Sequence, residues 1–201
     1  MGAGTGGGCL GPPADWTALR IVPDAANALL ASFKIWNTAT VGGNICQSFS
    51  AAAMVALAAG LDGIAVVWTP DGGERRVGVA DLMTGNATND LVRGEVVRAI
   101  ELPARALRSR ARLAKIALAE HGRSGAVVTA RVDEDGSSVF GVTAATLTPA
   151  VLRYDALPTA DRLAADVASA RGYYTDPLGA ADWRRAVSGV LAERLRRELA
   201  A

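Results

Sequence analysis

The longest apolar run in the chain, Ala51 to Trp68, constrains the fold more than any other segment. It is nearly long enough to read as a membrane-spanning helix, but Asp62-Gly63 cuts it in two. The first half is alanine-rich and helix-like, and the second, Ile64 to Thr69, alternates with β-branched residues. The run therefore reads as a buried helix followed by a buried strand. Half of the 201 residues are hydrophobic, which provides for one large or two small domains with their own cores.

The flanking segments point to an α+β chain. Apolar positions from Leu19 to Phe33 recur at helical spacing, and Pro23 sits where a helix would open. After the apolar run, Pro70-Asp71-Gly72-Gly73 is a hairpin signal, with a returning strand over Arg75 to Val79. Asp81 to Gly85 reads as a short helical turn, and Glu95 to Leu102 as an alternating strand stopped by Pro103. Three strands are expected beyond a boundary near Pro103 to Arg108: Ser109 to Leu118, Ala126 to Val132 and Ser138 to Thr146. Asp133-Glu134-Asp135-Gly136 is the turn between the last two. Two helices close the chain. The second is expected to bury Trp183, Val187, Val190, Leu191, Leu195 and Leu199 and to expose Arg184, Arg185, Glu193, Arg196 and Arg197.

Composition removes several functions. Twenty-one basic residues balance twenty acidic ones, so no field gathers nucleic acid or an anionic membrane. No charged region followed by an apolar block opens the sequence, so the expectation is a cytoplasmic protein without a secretory signal or membrane span. Cys9 and Cys46 lack the spacing of a zinc or iron–sulfur site, and Cys46 reads as a packed thiol. His121, the single histidine, has no nucleophile setting around it, so no catalytic or metal residue is expected. Gly2, Gly4 and Gly7 form a G-x-G-x-x-G without the preceding strand that a dinucleotide fingerprint needs, and residues 1–17 read as a flexible or truncated segment.

The segment with most chemical promise is Thr38-Ala39-Thr40-Val41-Gly42-Gly43-Asn44-Ile45. It reads as a glycine-paired turn with free φ that leads toward a helix, a place where a ligand reaches backbone amides and the hydroxyls of Thr38 and Thr40.

Ile35 to Ile45 resembles the Ile-Arg-Asn-x-x-Thr-Ile/Val-Gly-Gly-Asn signature of the FAD-binding subunit of molybdenum hydroxylases, the xanthine, aldehyde and carbon monoxide dehydrogenase family. The resemblance continues through Ala80 to Gly85, Glu95 to Pro103, Arg112 to Ile116 and Asp176 to Arg185, covering residues 18–200. It implies the second half of an FAD-binding domain over residues 18–105 and the C-terminal domain of the flavin subunit, a three-stranded antiparallel sheet with helices, over 106–201. It further implies FAD on this chain, in contact with Leu30, Thr40, Gly42, Gly43, Asn44, Val97 and Lys115. Electrons would come from two-iron two-sulfur clusters on a small partner subunit and pass to NAD, oxygen or another acceptor. Substrate oxidation would occur at molybdopterin on a large partner subunit.

Three departures qualify the match. Ala53 stands where the family has aspartate, Trp36 stands where it has arginine, and the half of the flavin domain with a first glycine loop is not represented. The alternative reading is a truncated or degenerate homologue acting as an assembly module without flavin.

Overall fold

The computed structural model describes residues 12–29, 33–119 and 122–201. The glycines at 2, 4 and 7, Cys9, Leu30 and His121 lie outside the described residues.

The split apolar run forms the centre of the molecule. Helix α4, Ala53–Gly60, has seven of its eight residues buried, and strand β1, Ile64–Trp68, follows it directly. A helix that is apolar all round must be packed all round. Val55 and Ala58 meet Ala65 and Val67 of β1, while Leu57 meets Ile21 and Ala25 of the first helical segment. Ala56 meets Val127 of the C-terminal sheet and Ala144 beside it. At the end of α4 the helix backbone lies directly against that sheet, and a Cβ on Gly60 would fall 2.4 Å from Thr129 Oγ1. Only glycine permits this approach.

The first segment is a 3-10 turn, Thr17–Ile21, running into α1, Val22–Ala28, with Pro23 in its opening turn as expected. Two short helices follow, α2, Phe33–Thr38, and α3, Val41–Gln47. Strand β1 is central in a three-stranded antiparallel sheet between β2, Glu74–Gly78, and β5, Val96–Glu101. Alternation was expected in β1, yet Ala65, Val66 and Val67 are all buried. The ion pair between Arg76 of β2 and Glu101 of β5 crosses β1 and covers the outward Val66. The short helix α5, Val79–Leu82, leads into a small β3–β4 ladder, Met83–Gly85 with Thr88–Asn89, so the expected helical turn is shorter and partly strand.

After helix α6, Ala104–Arg108, comes the second sheet. It has four strands, not three: β6, Arg110–Ile116; β7, Ala126–Val132; β8, Ser138–Thr143; and β9, Ala150–Tyr154, all antiparallel neighbours in that order. The extra strand is short and lies between prolines, so its pairing comes from the β8 ladder more than from its own pattern. Helices α7, Ala160–Ser169, and α8, Ala181–Ala200, cover one face of this sheet around Phe140, Val142, Leu163 and Leu195.

The expected phase of α8 is corrected. Its buried stripe is Arg184, Ser188, Leu191, Ala192, Leu195 and Leu199, whereas Val190 is 70% exposed. Arg184, expected in solvent, is fully buried. Its Nε donates to Gly179 O at 3.1 Å and its Nη1 to Gly125 O at 2.8 Å and to Ala144 O, while Nη2 pairs with Asp176 and the guanidinium lies over the Tyr174 ring. Fully bonded arginine can occupy a core position that periodicity alone assigns to an aliphatic residue.

A second ionic cluster ties α4 to the C-terminal sheet. Asp62, just after the helix, accepts from Arg105 Nη2 at 2.7 Å, from Arg153 Nη2 at 2.6 Å and from the buried Arg131. Arg131 also donates to Asp133 Oδ1 at 2.8 Å and to the Gly60 carbonyl, so its charge and its donors are satisfied inside the protein.

Candidate functional site

A cleft of about 310 Å³ opens between α1, the start of α3, α4 and the end of β5. Ala39, Thr40, Val41 and Asn44 form one wall, and Gly42 and Gly43 between them do not line it. Val22, Ala26 and the following Leu29 form the opposite one; Met54, Leu57 and Ala58 make the floor, with Ile100 and Leu102 beside them. The polar side chains of the lining, Thr40 and Asn44, lie on the same wall. Among the described residues, none that lines it is charged.

Local chemistry explains how that wall is held. Thr40 has extended backbone and is the N-cap of α3, its Oγ1 accepting from the Gly43 amide at 3.0 Å. Gly42 and Gly43 are therefore in the first turn of a helix and have no positive φ, which corrects the expected glycine turn. The threonine cap and the burial of Ile45 hold the helix although its two glycines are poor helix formers. The two glycines also have different roles. A Cβ on Gly42 would meet nothing within 4 Å, whereas one on Gly43 would lie 2.9 Å from the capping hydroxyl of Thr40. Gly42→Ala is expected to raise stability by about 0.5–1 kcal/mol through helix propensity. In Gly43→Ala the same gain is offset by a displaced cap worth about 1 kcal/mol, leaving it near wild type. Urea unfolding of both variants measures the difference, and equal stability of the two would count against this account of the cap.

Asn44 links two elements. The Met54 amide, in the first turn of α4, donates to Asn44 Oδ1 at 2.9 Å. This matters because Ala52, the N-cap residue of α4, offers no side-chain acceptor, and Ala53, where aspartate was expected, is buried. Asn44 caps the helix from the neighbouring one and so holds the floor of the cleft against the wall.

The other expected contacts are placed elsewhere. Val97 pairs with Val67 and packs into the core beside Ile45 and Val55, and it does not line the cleft. Lys115, on β6, donates its Nζ to Asn27 O at 3.0 Å, near the C-terminal end of α1, where a cation is favoured. It supports the α1 wall from outside the cleft. Thr38 Oγ1 donates back to Lys34 O within α2. The apolar lining from α1, α4 and β5 was not singled out in the sequence, because alanines and leucines at helical spacing carry the same signal whether they face a core or a cleft. Cys46 is half-buried, and burial pushes its thiol pKa up, consistent with a packed and unreactive group. Among the described residues no cluster of His, Cys, Asp or Glu is arranged to hold a metal, and no helix is long and apolar enough to cross a membrane.

Residues 15–105 match the family described as "FAD binding domain in molybdopterin dehydrogenase". Among solved structures, reconstituted CO dehydrogenase from Oligotropha carboxidovorans is similar over 90% of this chain and 66% of its own, with a TM-score of 0.77 and 23% identity. Quinoline 2-oxidoreductase from Pseudomonas putida 86 is similar over 91% and 67%, with a TM-score of 0.74 and 18% identity. Carbon monoxide dehydrogenase from Hydrogenophaga pseudoflava, in a form lacking the Mo-pyranopterin moiety, is similar over 91% and 68%, with a TM-score of 0.73 and 21% identity. At these identities the likeness is one of fold, and the chain spans about two thirds of the length of those chains. No curated protein sequence matches it.

Proposed function

We propose, from the match of residues 15–105 to the FAD-binding domains of molybdopterin dehydrogenases, that this chain is the FAD-carrying component of a molybdenum-hydroxylase-type dehydrogenase. The observation that carries the reading is the coincidence of the matched segment with the cleft: every described residue lining it, from Val22 to Leu102, lies within residues 15–105. On this reading residues 18–105 form the second half of an FAD-binding domain and residues 106–201 its C-terminal companion.

The lining suits part of FAD. Its apolar walls fit a flat ring system, and Thr40 and Asn44 offer hydrogen bonds along one side. The open space over Gly42 leaves main chain accessible beside them. Bound FAD would supply an electron relay, from a small iron–sulfur subunit to NAD, oxygen or another acceptor, while a large subunit oxidises the organic substrate at molybdopterin. The residues of this chain bind and orient. Thr40 and Asn44 fix the polar edge, and Leu29, Leu57 and Leu102 exclude water from the apolar one. Asn44 and Lys115 hold the α4 and α1 walls in place.

Titration of the purified chain with FAD, followed by flavin fluorescence, is expected to saturate at one equivalent. Ala26→Phe places a phenyl group in the cleft and is expected to weaken FAD by about 30-fold, about 2 kcal/mol. Because Ala26 is half-buried on the cleft side of α1, its unfolding midpoint stays within a few degrees of wild type. A chain that takes up no FAD, yet assembles with its partner subunits, would be an assembly module and would defeat the proposal.

A further inference from the structure

We propose that the uncovered end of the three-stranded sheet, around Trp68, is a self-complementary surface that seats a second copy of this chain. This goes beyond the FAD reading and does not rest on it.

The patch is apolar and held on regular structure. Trp68 ends β1 and lies directly opposite Val96 at the start of β5. Side chains alternate along a strand, so Trp68 shares the outer face with Val66. Trp68 is 51% exposed, Val96 59%, and Val92 in the adjoining turn 63%. That turn is close against the neighbouring hairpin, since a Cβ on Gly94 would lie 2.8 Å from Pro70 Cγ. Large apolar side chains clustered in solvent mark an interaction surface, and tryptophan is among the residues that carry most binding energy there.

The charges on either side set the partner. Two residues back along the same face, Val66 is covered from within the chain by the ion pair between Arg76 of β2 and Glu101 of β5. At Trp68 the flanking charges are Glu74 on β2, its register partner, and Arg98 on β5, whose guanidinium lies 5.3 Å over the Trp68 ring. These two do not join. Glu74 approaches Arg76 at 3.8 Å, but Arg76 is already engaged by Glu101, and among the described residues Arg98 has no carboxylate partner. Across β2, β1 and β5 the face therefore reads negative, apolar, positive. A second copy turned about a two-fold axis along β1 lays its β2 over the first copy's β5. The two Trp68 rings then pack together beside Val96, and each Glu74 meets the other copy's Arg98. A two-fold axis across the strands would set like charges against each other, so charge selects one geometry.

Sedimentation equilibrium of the full chain is expected to show a reversible dimer with a Kd on the order of 10–100 µM, the weak end for a small interface. Trp68→Ser is expected to weaken it by about 30-fold or more. Trp68 is half-exposed at a strand end, so the unfolding midpoint of that variant stays near wild type. Glu74→Arg and Arg98→Glu are each expected to weaken the dimer by about tenfold or more. The decisive result is rescue. The double variant Glu74→Arg/Arg98→Glu is expected to dimerise within about threefold of wild type, and an equimolar mixture of the two single variants to form a mixed dimer. A chain that stays monomeric at about 1 mM, a dimer untouched by Trp68→Ser, or charge reversals without rescue would overturn the inference. So would a monomeric chain whose Trp68 is shielded only on assembly with other subunits, which would assign the face to them. FAD titration reads the other proposal separately. Trp68 lies at the Val96 end of β5 and the cleft at the Ile100 and Leu102 end, so these variants are expected to bind FAD as wild type does.

Discussion

Replacing Arg184 by methionine is expected to lower the unfolding free energy by about 3–5 kcal/mol, the range for removing one partner of a buried ion pair. Methionine is of similar length, so the loss comes from the polar groups left behind more than from a cavity. The carbonyls of Gly125 and Ala144 lose their donor, Asp176 loses its guanidinium, and the Gly179 carbonyl loses the Nε bond. Those carbonyls belong to β7's approach, to the segment after β8 and to the loop before α8, so one side chain fastens three elements. For a chain of this size the midpoint should fall by roughly 10 °C or more. Arg184→Lys retains the charge without the planar fork and is expected to recover only part of the loss. A fall below about 1 kcal/mol in urea unfolding of the methionine variant would show that water replaces these bonds easily.

Asp62→Asn is the second large effect. Burial opposes ionisation of Asp62, but hydrogen bonds from Arg153, Arg131 and Arg105 overcome it and hold the carboxyl at about 2. The group is depressed in the folded state relative to about 3.9 in an unfolded chain. Its contribution is therefore complete above about pH 5 and is lost as pH falls through 4 toward 2, and the shift corresponds to about 2–3 kcal/mol. Asparagine tolerates the positive φ of 53° at this position, so the substitution removes charge without new backbone strain. At pH 7 the variant should be less stable than wild type by about 2–3 kcal/mol, with the buried Arg131 left to Asp133 and the Gly60 carbonyl. Between pH 5 and pH 2 the two unfolding curves should converge. A gap that stayed constant across that range would mean that the charge of Asp62 is not what stabilises the contact.

These two clusters mark where the sequence stops being informative. The hairpin around Asp71-Gly72, the strand ended by Pro103 and the helix opened at Pro23 are local: turn residues and proline act through their own backbone, so they are legible one segment at a time. Strand β9 is not, because five residues of mixed polarity become a strand only beside β8. Nor is the phase of α8. Reading Val190 as buried is the natural choice from hydrophobicity, and it fails because Arg184 and Ser188 find partners inside the protein and take the positions facing the sheet.

The candidate site divides in the same way. Thr40 to Asn44 is visible as a motif, and Thr40, Val41 and Asn44 do form a wall of the cleft, but the motif does not reveal that the glycines are helical and face away from the lining or that Lys115 faces the Asn27 carbonyl. By itself, the sequence determined the broken apolar run, the α+β class and the segment around which a ligand site is built, since periodicity, turn residues and motif spacing are properties of neighbours along the chain. The tertiary structure alone decided which charges are buried, which side of α8 faces the sheet and which helix Asn44 caps. Each of these depends on whether a polar group distant in sequence arrives to satisfy another, and that is settled only when the elements pack.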